Sequence, residues 1–208
     1  MKMKPLLVMS MFAAVCLSGC KLVKTGGGED GDAAQDPILE LVETSFDTKL
    51  VPALTEKAVD LAVLRTAIAQ GVDSAGEAYG VRVGGAGGGW NFPVKGTAVV
   101  VEENRASKAA TADLDLDGDG QKDAVLQLGP VVKGTALRDT TSLYDFSDFR
   151  DQIEYARLGR ALNDMAVSKI TTPEGEFKGK QVSFVGAVVV RSASEVPLVT
   201  AVSLEVAP

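Results

Sequence analysis

Five strand-like stretches, interrupted once by a helix, constrain this chain more than any other feature of it. Val94 to Glu103 is a run rich in β-branched residues, and Ala109 to Leu116, Ala124 to Leu128, Gln181 to Arg191 and Leu198 to Val206 follow with similar character. Between the third and fourth, Phe149, Ile153, Ala156, Gly159, Leu162 and Ala166 recur every three or four residues, the period of one helix face. Ser147 is the expected N-cap of that helix. Three strands, a helix and two strands is the order of a five-stranded, OB-like Greek-key barrel whose helix plugs one end. Gly96, Gly129, Gly134 and Gly186 suit the curvature of a small barrel. An open α+β sheet would give the same string of elements. Fold alone leaves function open, because such barrels bind oligonucleotides, oligosaccharides and proteins alike.

Upstream the period is helical. Asp36 can cap a helix with Pro37 in its first position, and Ile38, Leu41, Val42, Ser45 and Phe46 share a face; Pro52 is expected to stop it. A second helix is expected from Thr55, with Ala58, Leu61, Ala62, Arg65 and Ile68 on one face and Gly71 as its C-terminal cap. Asp73 is the expected cap of a last short turn that ends at Gly80. The run Gly84-Gly85-Ala86-Gly87-Gly88-Gly89 has no Lys-Ser/Thr after it, so it reads as a connector and not as a phosphate-cradling loop. The expected class is thus α+β: an N-terminal helical segment with its connector at 36–89, then an OB-like barrel at 90–208 with a helix between strands three and four.

The first nineteen residues read as a bacterial secretory leader. Lys2 and Lys4 form the positive end and Leu6 to Val15 an apolar core too short to span a bilayer. Leu17-Ser18-Gly19-Cys20 resembles the lipobox of bacterial lipoproteins, which implies that Cys20 carries a diacylglyceryl thioether and an acylated amino group after cleavage. Two or three acyl chains give stable membrane anchoring. Cys16 would leave with the leader, so the mature chain has no thiol for a disulfide, a metal or catalysis. Residues 20–35 are the lipidated Cys and a Gly/Ala-rich tether reaching roughly 20 Å. Lys21, where Asp would signal inner-membrane retention, weakly favours the outer membrane, facing the periplasm. The net charge of −7 becomes −9 once Lys2 and Lys4 are removed, which argues against nucleic acid as a partner.

Further resemblance lies in Trp90-Asn91-Phe92-Pro93-Val94-Lys95-Gly96 and Leu128-Gly129-Pro130-Val131-Val132-Lys133-Gly134-Thr135-Ala136-Leu137-Arg138-Asp139, followed by Phe149, Gln152-Ile153 and Leu162-Asn163. Together with the lipobox these resemble the predicted periplasmic lipoproteins classed as domain of unknown function 2291, over roughly residues 36 to 206. The resemblance implies genes beside sugar-type ABC transporters, hence ABC transporter components as partners and an accessory role near solute uptake. Asp151 departs from the Asn expected before Gln152.

Four acidic residues stand out. Asp115-x-Asp117-x-Asp119-Gly120-x-x-Asp123 has the register of calcium loops in hairpins, with Gln121 offering its backbone carbonyl. An EF-hand is excluded, because the twelfth position is Leu126 and strands flank the loop. Close carboxylates repel by roughly 1 kcal/mol per pair in solvent-like dielectric. Either a cation, Ca2+ before Mg2+, relieves this, or the segment is an Asp-Gly turn with solvated acids. No other cofactor is expected. Lys133, Arg138 and Asp139 follow a Gly-Pro break. Arg138 can hold a carboxylate or phosphate bidentately, or can pair with a neighbouring acid and fix the loop. Trp90 and Phe92 can stack on a sugar or close a core.

With no His and no free Cys, Ser-His-Asp and Cys-His mechanisms and histidine-ligated zinc are excluded. No paired carboxylates sit in a glycosidase-like motif. The chain is expected not to be an enzyme. It reads as an anchored binding or accessory protein or, alternatively, as a structural envelope protein with a calcium-stabilised hairpin.

Overall fold

The computed structural model describes residues 36–83 and 88–207. The leader, Cys20, the tether and residues 84–87 of the glycine connector lie outside the described residues.

Helix α1 (Pro37–Ser45) starts where Asp36 accepts the Ile38 N–H at 3.0 Å. It does not stop at Pro52. One π-helical stretch, Phe46–Leu50, leads directly into α2 (Val51–Lys57), with the Val51 N–H reaching Phe46 O. Pro52 is thereby the second residue of the α segment, a position at which proline is tolerated. The second helix is also displaced from its expected start. Ala58 turns extended, β1 (Val59–Asp60) follows, and α3 (Leu61–Gln70) begins with Asp60 accepting N–H groups from Ala62 and Val63. Gly71 ends it as expected, its N–H reaching Ala67 O and Ile68 O. Helix α4 (Val72–Tyr79) has Gly71 as its N-cap and not Asp73, and it ends at Gly80. A short β2 (Val81–Arg82) comes next.

The five expected strands all form: β3 (Trp90–Asn104), β4 (Ala109–Asp115), β5 (Ala124–Pro130), β6 (Gln181–Val190) and β7 (Leu198–Val206). They hydrogen-bond in the order β3-β4-β5-β7-β6, and β6 returns to β3, closing the ring. A barrel, not an open sheet, is what the strand string encodes. Closure depends on the length of β3: Trp90 to Val99 pairs with β6, whereas Val99 to Asn104 pairs with β4. Only β5 and β7 run parallel among the ring pairs, through Val125 and Leu198 and through Leu126 and Val199.

Inward-facing alternate residues, among them Phe92, Val94, Leu114, Leu126, Phe184 and Val199, form one buried cluster, and Leu61, Leu64 and Ile68 of α3 complete it. The N-terminal helix α3 therefore fills the barrel, a part the sequence assigned to the helix between strands three and four. That helix, α6 (Gln152–Lys169), follows α5 (Ala136–Asp139) and a 3-10 turn at Phe146–Asp148. It buries Leu158, Leu162 and Ala166 in a second cluster with Val42, Phe46, Leu50 and Leu54 of the N-terminal helices and Leu137 of α5. Of the face expected from the periodicity, Gly159, Leu162 and Ala166 are buried, whereas Ile153 is 74% exposed. Its cap is Asp151, which accepts the Ile153 and Glu154 N–H groups, while Ser147 gives its own N–H to Asp145. The Asp at position 151 thus has a structural role.

Two close approaches lock these layers. A Cβ on Gly186 in β6 would lie 2.3 Å from Thr200 O and 2.8 Å from Ala201 Cα of β7. One on Gly76 in α4 would lie 2.1 Å from the Trp90 indole.

Candidate functional site

The acidic hairpin joins β4 to β5. Carboxylate oxygens of Asp115, Asp117 and Asp123 lie within 4.8 Å of one another. Asp115 Oδ1 accepts the N–H groups of Asp117 and Gly118, and Oδ2 that of Gly120, at 2.7 to 3.1 Å. Burial pushes the Asp115 carboxyl up, but the backbone N–H groups of Gly120, Gly118, Asp117 and Asp119 together outweigh it and hold it below the usual carboxylate range. Asp123 Oδ2 accepts the Leu116 N–H, and Oδ1 pairs with Arg65 of α3 at 2.6 Å. Asp119 turns aside and binds the backbone and side-chain amides of Gln121. Asp113 lies on β4 and pairs with Lys122 at 3.0 Å. The converging acids thus hold three carboxylates near one point, with a guanidinium already seated on one of them.

Trp90 opens β3 and is half-buried. Its Nε1–H donates to Asp73 Oδ1 at 2.9 Å, Arg82 donates to the same oxygen at 2.6 Å, and the Arg82 guanidinium lies 4.3 Å over the ring. Phe92 is fully buried in the barrel. Both aromatics therefore close the core, Phe92 within the barrel cluster and Trp90 partly buried against it, and Trp90 fastens α4 to the strand. The Trp90 and Arg82 bonds lower the Asp73 carboxyl from its ordinary value of 3.8. A depressed carboxylate contributes stability that is present above its unfolded pKa and is lost as pH falls through the folded one. The urea midpoint of the native protein should exceed that of Asp73→Asn at neutral pH, and the difference should shrink below about pH 4. A difference unchanged by acid would exclude this role.

Arg138 and Asp139 close α5, with their side chains each 12% exposed. Arg138 Nε and one terminal nitrogen donate to the two oxygens of Asp139, the other donates to Tyr155 O, and the guanidinium stacks 3.8 Å over the Tyr155 ring. Thr135 Oγ1 adds a 2.6 Å bond to Asp139. Lys133 is exposed, while its backbone is held by Gln127, whose side chain also reaches Thr200. Of these candidates, Arg138 and Asp139 are engaged with each other and only the Lys133 ammonium faces outward.

Sequence reasoning missed the neighbouring cleft. Between the loop after β5 and helix α6 lies a hollow of about 450 Å³, lined by Val131, Val132, Thr135, Arg160, Asn163 and Asp164, among others. A second hollow, of about 400 Å³, lies against β3, β6 and β7 beside Lys95, Thr97, Ser183 and Glu205. Asn163 was visible as part of Leu162-Asn163. What could have marked it is its place beside Leu162 on the stripe that carries Leu158 and Ala166, where a polar side chain must be buried.

A closed ring of five strands in this order, with a helix between the third and fourth, defines an OB fold. The chain is similar to an OB-fold protein from Thermotoga maritima known from a crystal structure, with a TM-score of 0.65 and 17% identity, over 83% of this chain and 98% of that one. It belongs to the family of predicted periplasmic lipoproteins, domain of unknown function 2291, which matches residues 10–205. No curated protein matches it. Membership in a lipoprotein family makes it a membrane-associated protein of the cell envelope.

Proposed function

We propose that this chain is a non-catalytic binding protein, anchored through lipid on Cys20 and facing the periplasm, that acts as an accessory to a sugar-type ABC transporter. The observation that carries the reading is where space is left in the fold. The barrel interior is filled by its own side chains and by α3, and both hollows open on the outside. Recognition by an outer surface suits an accessory protein. The lack of histidine and of a thiol beyond Cys16 and Cys20 is in keeping with a role without His- or Cys-based catalysis. Crosslinking in membranes followed by purification should recover transporter subunits with the native protein, and Cys20→Ala should leave the membrane fraction. Recovery of the native protein without such subunits would overturn the assignment.

The rival reading, a structural envelope protein with a calcium-braced hairpin, draws on the convergence of Asp115, Asp117 and Asp123. In our reading Arg65 supplies the positive charge there. Millimolar calcium should leave the melting temperature of the native protein unchanged and raise that of Arg65→Gln. A rise of about 3 °C or more in the native protein would favour the rival.

A further inference from the structure

We propose that the cleft between the loop after β5 and helix α6 binds a small zwitterion, an α-amino acid with an apolar side chain. This goes beyond the transporter assignment and does not rest on it.

Asn163 lines the cleft and is only 5% exposed. Its Nδ2 donates to Gly134 O at 2.9 Å, which fixes the orientation of the amide because a carbonyl can only accept. Oδ1 is left buried with no hydrogen-bond partner among the described residues. Buried acceptors are nearly always paired, and this one belongs to a residue that lines the hollow, so in the proposed complex its donor is brought in by the ligand. Arg160 and Asp164 line the same cleft, one helical turn apart, and both are exposed. Neither forms an ion pair or side-chain hydrogen bond with any described residue. Side chains at this spacing start about 5–6 Å apart, close enough for one small ligand to bridge. Val131, 52% exposed, and Val132 supply an apolar wall. The volume of about 450 Å³ lies within the range of small-molecule sites.

The three polar demands select the ligand. An ammonium has three donors, enough for Asp164 and Asn163 Oδ1 together, and a carboxylate on the same carbon answers Arg160. The remaining side chain lies against Val131 and Val132. A neutral sugar can satisfy Asn163 but leaves both charges without a counter-charge. A simple amine or carboxylate answers only one of them.

Calorimetry on the full chain in detergent tests this with L-leucine, 4-methylvalerate (no ammonium), isoamylamine (no carboxylate) and glucose. Leucine should bind, and each single-charge analogue should bind at least about tenfold more weakly, the loss of one charge-assisted contact. Arg160→Gln should bring leucine close to isoamylamine in affinity, and Asp164→Asn should bring it close to 4-methylvalerate. Both changes are on exposed positions, and circular dichroism checks that the fold is kept. Absence of heat with leucine, binding of glucose in its place, or unchanged leucine affinity in the two variants would overturn the proposal.

Discussion

In urea unfolding, Asp139→Ala is expected to lose about 3 kcal/mol of stability, because breaking a buried ion pair leaves its partner's charge uncompensated. Arg138 and Asp139 are joined by two parallel hydrogen bonds, and both side chains are 12% exposed. Without Asp139 the guanidinium would keep only Tyr155 O and the Tyr155 ring, and Thr135 Oγ1 would lose its acceptor. Asp139→Asn retains an acceptor of the same shape and should fall between the native protein and the alanine variant. The double change Arg138→Met with Asp139→Leu should be more stable than Asp139→Ala alone, since two apolar side chains leave no buried charge. If Asp139→Ala unfolds within about 0.5 kcal/mol of the native protein, the range of an ordinary surface change, the pair does not hold α5 to α6.

Gly186→Ala should have a comparable effect, also about 3 kcal/mol, at the upper end of overpacking in a close-packed interior. The obstruction is backbone and not a movable side chain: the new Cβ would meet Thr200 O at 2.3 Å and Ala201 Cα at 2.8 Å. The β6–β7 pairing already changes register between Val185 and Gly186, so the strands must part where the barrel has little freedom. Gly175→Ala, with nothing within 4 Å of its Cβ, is the control and should change stability little. Equal stability of the two variants would show that the strands can yield at Gly186.

Much of the barrel was legible because its strands are separate, β-rich and bounded by turn residues. Each of the five appears within a few residues of its expected span, and the ring closes in the order those spans allow. The helices were harder for identifiable reasons. Pro52 is harmless because a π-helical stretch resets the hydrogen-bond register just before it, and nothing local to the proline announces that. Asp60 was readable as a cap, with Leu61, Leu64 and Ile68 stepping after it, but the continuous apolar pattern from Ala58 concealed the break. On α6 the period marks Gly159, Leu162 and Ala166 correctly, but Ile153, in the first turn, fits the same period and is exposed. Which helix fills the barrel depends on tertiary packing that periodicity does not carry.

The candidate site was legible only in part. The acidic register was plain, but Arg65, which neutralises Asp123, lies on another element and far away in sequence. Arg160 and Asp164 look like any charged helix surface until the loop after β5 is placed beside them. Their neighbour Asn163 acquires meaning only when its carbonyl is seen without a donor.

The chain has a single tryptophan, and that indole is held by Asp73, Arg82 and Gly76, none of which lines the cleft at α6. Its fluorescence is therefore a built-in gauge of the joint between α4 and the barrel. Emission followed through a denaturation records when that joint opens, while circular dichroism follows the strands. A lag between the two signals would time the release of the helical cover from the barrel beneath it.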